Sequence, residues 1–400
     1  MTDIKYRLFY MFILLIGLNF QGAAILLSYV LLLFSFLCIK PIKRVPKNAI
    51  LVFMLVVSID ISTVLIGTDN IVYQFLKNGV YINIYFSFYL LSIHCYSDML
   101  GIENRLRVFS DCVFFFSFGN MGHFFLDMFI TDMKTINFGH RVLNDFWSGG
   151  TVPTTIVLGW GCFLMPLLIY YFERYKREKI KFFVSLALIV CYVGFSFQIA
   201  TRLGIANAIF TLIIYYILKI QQKEVVITLK KMIKFGVVGV VVVLVGLKIV
   251  PIILRSNLVV RMSGEDISLF SGNGRLEASI YLLSNWSESL FGGSYFANQY
   301  GLQQHNMLLQ IYDLYGIVPF FVLLLVFINV IKKVINIYCK RNLCNSSRRF
   351  CLLTVFSLFL YVFEEPAFSS NYIITSMFFG WLGFSSVLMK QLDMYNCMKE

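Results

Sequence analysis

The chain has 400 residues, of which 59% are hydrophobic and 14% are charged, and its formal net charge is +13. Soluble domains carry roughly 25% charged residues, so the composition excludes ordinary soluble domains; the apolar residues instead form runs of about 20, the length that crosses a bilayer core. Because the basic residues lie in short loops between these runs, membrane topology explains the net charge better than nucleic-acid binding does.

The apolar runs predict an all-α, polytopic integral membrane protein in which residues 1–400 form a single membrane domain. About twelve transmembrane helices are expected, over residues 8–20, 22–39, 49–67, 79–97, 108–127, 153–172, 182–200, 203–220, 235–252, 304–331, 350–364 and 371–389. Lys5 and Arg7 before the first run resemble the start of a signal peptide. The eleven further spans favour a first helix that is retained.

The distribution of Lys and Arg predicts the orientation of these helices. Alternate loops, together with the N-terminal tail, hold all but eight of the 34 Lys and Arg residues, and such an excess marks the cytoplasmic side. Both termini are therefore predicted to be cytoplasmic, with two outer loops at residues 128–152 and 253–303. None of the nine cysteines lies in these outer loops, so no disulfide framework is expected.

The loops also bear on the class of function. The cytoplasmic loops are too short for a nucleotide-binding domain, and the chain has no GxxxxGKS or GxxxxGKT sequence, which argues against an ATP-driven pump. The outer loops contain no DxD-like pair, which agrees with a reaction that needs no metal ion. Cys339 and Cys344 have no second pair or histidine partner at metal spacing and are predicted to be free cytoplasmic thiols.

Several charged and polar residues are predicted to lie at the outer edge of the membrane, where an unpaired, dry charge costs several kcal/mol. Each is a candidate functional residue, although an arginine or histidine there can also serve only to contact headgroups or backbone. The candidates are Arg202 between the seventh and eighth helices, Arg275 in the large loop, His305 where that loop re-enters the membrane, Glu364 and Glu365 at the end of the eleventh helix, and Arg141, Arg255 and Arg261 in the outer loops. His123 is expected to be structural.

An ordered set of short motifs lies on the same predicted face. Together, over roughly residues 198–320, the set resembles the O-antigen polymerase and O-antigen ligase superfamily. The motifs are Thr201-Arg202, Gly274-Arg275 followed by Trp286, Gly292-Gly293, His305-Asn306 with Leu309, and Tyr315-Gly316 before a long apolar helix.

The resemblance implies a GT-C-like, metal-independent glycosyltransferase without a cofactor, whose donor is an oligosaccharide on undecaprenyl diphosphate. It implies catalytic roles for three residues: Arg202 and Arg275 toward the diphosphate, because arginine binds phosphate with two parallel hydrogen bonds, and His305 as the general base. A second set is expected to bind substrate: Asn306, Arg261, Arg255, Arg141, Glu364 and Trp286, the last by stacking on a sugar ring.

Three functions are open at this point. The first is a surface-polysaccharide polymerase in the bacterial inner membrane, with a periplasmic active site and a chain-length regulator as a candidate protein partner. The second is the O-antigen ligase. The resemblance implies a longer large outer loop for a ligase than the roughly 50 residues found in this chain. The third is a flippase or other transporter, which should carry charges at mid-membrane depth; the middles of most predicted helices carry none.

Overall fold

The protein is almost entirely helical in the residues described. The computed structural model describes residues 2–38, 46–67, 70–97, 101–130, 142–153, 159, 161–198, 202–222, 224, 275–295, 298, 304, 306–340, 343–364, 368 and 371–397. Within these residues there are thirteen α-helices. The all-α class predicted from the apolar runs is confirmed.

The helices follow the chain in two groups. The first group comprises α1 (Thr2–Gly17), α2 (Ala24–Cys38), α3 (Lys47–Ile66), α4 (Ile71–Ser97) and α5 (Ile102–Ile130). A hairpin of β1 (Val142–Asn144) and β2 (Thr151–Pro153) separates the groups, with Leu143 opposite Val152. The second group comprises α6 (Leu164–Glu173), α7 (Lys179–Gln198), α8 (Arg202–Gln221), α9 (Arg275–Ser284), α10 (Met307–Tyr315), α11 (Ile317–Cys339), α12 (Asn345–Glu364) and α13 (Tyr372–Cys397). Short 3-10 helices cover Phe20–Gly22 and Trp286–Ser289.

Seven of the described helices are long and apolar enough to cross a membrane. They are α3, α5, α7, α8, α11, α12 and α13, and shorter apolar helices lie within α2 and α6. The protein is therefore a membrane-embedded helical bundle. The predicted ninth span, residues 235–252, lies outside the described residues.

The centre of the bundle is formed where glycines let helices approach closely. α5 packs along α1, and α13 packs along α4. A methyl group at Gly119 of α5 would overlap the Leu14 carbonyl oxygen of α1, and one at Gly383 of α13 would overlap the Tyr85 carbonyl oxygen of α4. Such small-residue contacts are a usual means of bringing membrane helices together, because the backbones can then pack without intervening side chains.

One end of the bundle is held by charged residues and is called here the ionic face. It gathers the start of α5, the end of α6 and the start of α12, because Arg174 lies 2.9 Å from Glu103 and Arg349 lies 2.6 Å from Glu173. Lys181 at the start of α7 binds Asp111 at 2.6 Å. These helix ends meet at one face, as alternate crossing of the membrane requires.

Two predicted elements differ from the structure. The single helix predicted over residues 304–331 is wrong: the chain forms α10 and α11, which are separated by Gly316 at φ 89° and ψ −171°. The helix predicted over 153–172 is also wrong at its first residue, because Pro153 ends the strand Thr151–Pro153, whereas α6 (Leu164–Glu173) lies inside the predicted range. Hydropathy averages polarity over a window, so it cannot detect a hairpin or a single glycine break.

Replacing Gly316 with alanine is expected to destabilise the protein by about 1–3 kcal/mol. The positive φ is strained for any residue with a side chain, and a Cβ built at Gly316 lies 2.7 Å from the Leu290 carbonyl oxygen. Thermal unfolding of the purified protein in detergent measures the effect. Gly194→Ala in α7 is the matched control, since a methyl group there meets nothing within 4 Å. Equal unfolding temperatures for Gly316→Ala and the wild type would contradict this reading.

Candidate functional site

The end of the bundle opposite the ionic face holds the described motif residues and is called here the motif face. Its first component is a compact unit made of α9, the 3-10 helix Trp286–Ser289 and α10. The Tyr312 hydroxyl of α10 donates to the Trp286 carbonyl, and the buried Ser289 hydroxyl donates to Asp313 at 3.0 Å. These bonds fix the segment after α9 against the side of α10.

The two glycine motifs meet inside this unit. The Gly293 amide donates to the Leu314 carbonyl at 3.1 Å, and the Ile317 amide donates to the Leu290 carbonyl at 3.0 Å. A Cβ built at Gly292 would lie 2.6 Å from the Leu314 carbonyl oxygen, so the two backbone segments touch directly. The segments Gly292-Gly293 and Tyr315-Gly316 therefore lie in direct backbone contact, and the close approach explains why Gly292 and Gly316 are glycines.

Asn306 connects this unit to α12. Its side-chain oxygen caps α10 by accepting from the amides of Leu308 at 2.9 Å and Leu309 at 3.3 Å. Its amide nitrogen donates to the Phe363 carbonyl at 3.4 Å. Asn306 is thus bound to the residue that precedes Glu364 in the sequence, so the start of α10 and the end of α12 come together at the motif face.

The start of α8, where Arg202 lies, is held against the same helix. The Asn207 amide donates to the Ser357 carbonyl at 3.1 Å, and the Ser357 hydroxyl donates to the Asn207 side-chain oxygen at 2.6 Å. α8 begins at Arg202 and α12 ends at Glu364. At a rise of about 1.5 Å per residue, Arg202 and Glu364 lie at about the same level along the bundle.

The remaining predicted site residues divide into two groups. Arg275 is the first residue of α9, which packs on α10, and Trp286 begins the 3-10 helix with 52% of its surface exposed. For Arg202, Arg275 and Glu364, the structure describes the backbone only. Arg141, Arg255, Arg261, His305 and Glu365 lie outside the described residues.

One further residue of the unit has a shifted pKa. A hydrogen bond to Glu288, which favours the neutral phenol, raises the pKa of Tyr295 to about 12. The Tyr295 hydroxyl is thus engaged by Glu288, within the same unit.

Sequence reasoning missed a second polar group on the motif face. His123 and Asp127 lie one turn apart near the end of α5, and Asp145 follows β1. The His123 Nε2 atom lies 3.1 Å from Asp145 Oδ2 and 3.4 Å from Asp127 Oδ1. The pairing of His123 with Asp127 has a sequence signal, the i, i+4 spacing on one helix. The pairing with Asp145 depends on the hairpin, which hydropathy does not detect.

The environment of Asp145 keeps this carboxylate ionised. Burial alone would raise its pKa, but hydrogen bonds from the Ser148 amide and hydroxyl, together with the nearby His123, lower the pKa below its ordinary value. Oδ1 accepts from the Trp147 amide at 3.0 Å, the Ser148 amide at 2.7 Å and the Ser148 hydroxyl at 2.9 Å. Three donors on Oδ1 orient Oδ2 toward His123.

Comparison with known proteins adds no family assignment, since no family model and no curated protein matches the chain.

Proposed function

We propose that this protein is a glycosyltransferase of the bacterial inner membrane that polymerises a surface polysaccharide on its periplasmic side, within a GT-C-like bundle of about twelve spans. The observation that carries the proposal is the convergence of α8, α10 and α12: Arg202 begins α8, Asn306 caps α10 and Glu364 ends α12 at the same face. These helices carry the motifs that resemble the O-antigen polymerase and ligase superfamily.

The proposed reaction transfers a growing glycan from undecaprenyl diphosphate to a sugar hydroxyl of a new lipid-linked repeat unit. The bond between the donor sugar and the diphosphate breaks, and a bond forms between that sugar carbon and the acceptor oxygen. His305 takes the proton of the acceptor hydroxyl, since an imidazole titrates near neutral pH. Arg202 and Arg275 stabilise the charge that develops on the departing diphosphate.

The other residues serve binding. Asn306 joins the start of α10 to the end of α12 through the Phe363 carbonyl. Trp286 offers an exposed aromatic surface to a sugar ring. Arg141, Arg255 and Arg261 supply positive charge for the lipid-linked substrate. A chain-length regulator is the proposed protein partner, and the mechanism needs neither a cofactor nor a catalytic metal.

Deleting the gene in its host and separating lipopolysaccharide on a gel distinguishes the candidate functions. A polymerase predicts core that carries a single repeat unit and no ladder. The ligase predicts core without repeat units while polymer accumulates on undecaprenyl diphosphate. An unchanged ladder would reject both activities and would return the transporter to consideration.

Complementation of this deletion tests the base. His305→Ala is expected to leave the ladder absent, because the acceptor hydroxyl then has no group to take its proton. His94→Ala is the matched control: His94 lies at the end of α4 beside Tyr6, with ring centroids 5.6 Å apart, far from the motif face along the helix. A ladder restored by His305→Ala would remove this histidine from the mechanism.

A further inference from the structure

The group formed by His123, Asp127 and Asp145 is deeply buried. The residues are 3%, 0% and 8% exposed, respectively, and one potential ligand atom from each lies within 4.8 Å of the other two. Among the described residues it is the cluster of three His, Cys, Asp or Glu side chains with the spacing of a metal site. Buried charges need partners, because removing an ionised carboxylate from water is costly.

Hydrogen bonding within the cluster does not satisfy both carboxylates. The one proton that His123 Nε2 can carry faces two oxygens, at 3.1 Å and 3.4 Å. Asp127 Oδ1 also accepts from the Phe146 amide at 2.9 Å, but Asp127 Oδ2 is buried and has no hydrogen-bond partner. A fully buried carboxylate oxygen without a donor is unusual, and a bound ion is one arrangement that provides its partner.

The distances suit a shared cation. Two ligand atoms bound side by side to one cation at about 2.1 Å lie about 3.0–3.4 Å apart, and the two separations from His123 Nε2 fall in this range. The three donors to Asp145 Oδ1 hold the carboxylate with Oδ2 toward the cluster. Such outer hydrogen bonds are the usual way in which proteins orient metal ligands.

We propose that His123, Asp127 and Asp145 bind a divalent transition-metal cation, of which Zn²⁺ suits the donor set best. Zn²⁺ binds both imidazole nitrogen and carboxylate oxygen at about 2.0–2.2 Å, whereas Mg²⁺ and Ca²⁺ prefer oxygen ligands alone. The +2 charge of the cation balances two ionised carboxylates, whereas an imidazolium supplies only +1. The three protein ligands leave a coordination position for water.

The role of this cation is structural and is separate from the proposed glycosyl transfer. It joins the end of α5 to the hairpin, and the hairpin in turn contacts α1, because the Trp147 indole donates to the Leu18 carbonyl at 3.2 Å. The cation thus fixes the loop after β1 to two helices at the motif face. Loss of the metal is expected to loosen this loop without removing the residues that carry the transfer.

The test uses the full-length protein, purified in detergent through a tag that contains no histidines. Metals are first removed with a chelator, and the protein is then loaded with Zn²⁺ or Mn²⁺. After excess ion is removed, the bound metal is measured by inductively coupled plasma mass spectrometry. The wild type is expected to retain about one Zn²⁺ per chain and to unfold at a higher temperature with Zn²⁺ than without it. Asp127→Asn should lose both properties.

Asp111→Asn is the matched control, since this carboxylate lies on the same helix but pairs with Lys181 at the ionic face; it should retain the metal. Retention of Zn²⁺ by Asp127→Asn would overturn the proposal by locating the ion elsewhere. A wild-type protein that neither retains Zn²⁺ nor gains thermal stability from it would overturn the proposal as well. Co²⁺ loading of the wild type keeps the test decisive if Asp127→Asn fails to fold, because absence of the absorption bands of protein-bound Co²⁺ would then contradict the site.

Discussion

Replacing Arg275 with alanine is expected to reduce glycan transfer by roughly 10²–10³-fold, the usual cost of removing one group that stabilises charge in a transition state. Arg275 begins α9, which is fixed against α10 by the contact between Tyr312 and the Trp286 carbonyl. The proposed departing diphosphate carries its charge at the membrane edge, where a permanently ionised guanidinium binds two oxygens at once. Arg202→Ala should have a similar effect, from the start of α8.

Replacing these two arginines with lysine tests whether transfer needs the forked geometry of the guanidinium or only its positive charge. Arg275→Lys and Arg202→Lys should restore little activity, because an ammonium offers a point charge in place of two parallel donors. Transfer is measured as the lipopolysaccharide ladder, with the amount of protein in the membrane measured beside it. Arg177→Ala is the control, since Arg177 is exposed in the loop between α6 and α7. Full activity in both alanine variants would exclude the diphosphate role.

Replacing Arg349 with methionine is expected to destabilise the protein by about 3–5 kcal/mol, the cost of leaving a buried charge without its partner. The Arg349 side chain is 4% exposed and binds Glu173 at 2.6 Å and Glu224 at 2.8 Å. It joins the start of α12 to the ends of α6 and α8 at the ionic face. Lys219 lies 3.9 Å from Glu173 and replaces only part of the lost interaction.

Two further variants separate the charge from the packing. Arg349→Met combined with Glu173→Gln should be more stable than Arg349→Met alone, because the unpaired carboxylate is then also removed. Arg107→Met should change stability by less than about 1 kcal/mol, since Arg107 is 54% exposed although it lies 3.0 Å from Glu178. Chemical or thermal unfolding in detergent measures all three. Equal effects of Arg349→Met and Arg107→Met would contradict the importance of burial.

The sequence predicts the long helices well and the irregular backbone poorly. The span expected over 49–67 is α3 (Lys47–Ile66), and that expected over 203–220 is α8 (Arg202–Gln221), because a long apolar run leaves few alternatives to a membrane helix. The hairpin and the break at Gly316 escape prediction. Both depend on single residues and on backbone contacts such as that of Ile317 with Leu290, which are set by the tertiary fold.

The candidate site shows the same division. The motif order predicts that residues far apart in the chain act at one face, and the hydrogen bond from Asn306 to Phe363 joins two of the segments concerned. Charge distribution likewise places Arg349 in a basic loop, but it does not reveal that Arg349 is buried against Glu173. The approach of Asp145 to His123 could not be predicted, because the hairpin brings them together over 22 positions of the chain.

Reconstitution of the purified protein in lipid vesicles with its lipid-linked repeat units tests whether the protein alone polymerises them. The repeat units are extracted from a strain that lacks this gene, so that they carry no polymer. The account predicts that wild-type protein converts them, without any other protein, into a ladder of longer glycans that stay attached to undecaprenyl diphosphate, and that Arg275→Ala does not. Repeat units that remain single in the presence of folded wild-type protein would contradict the assignment as a polymerase.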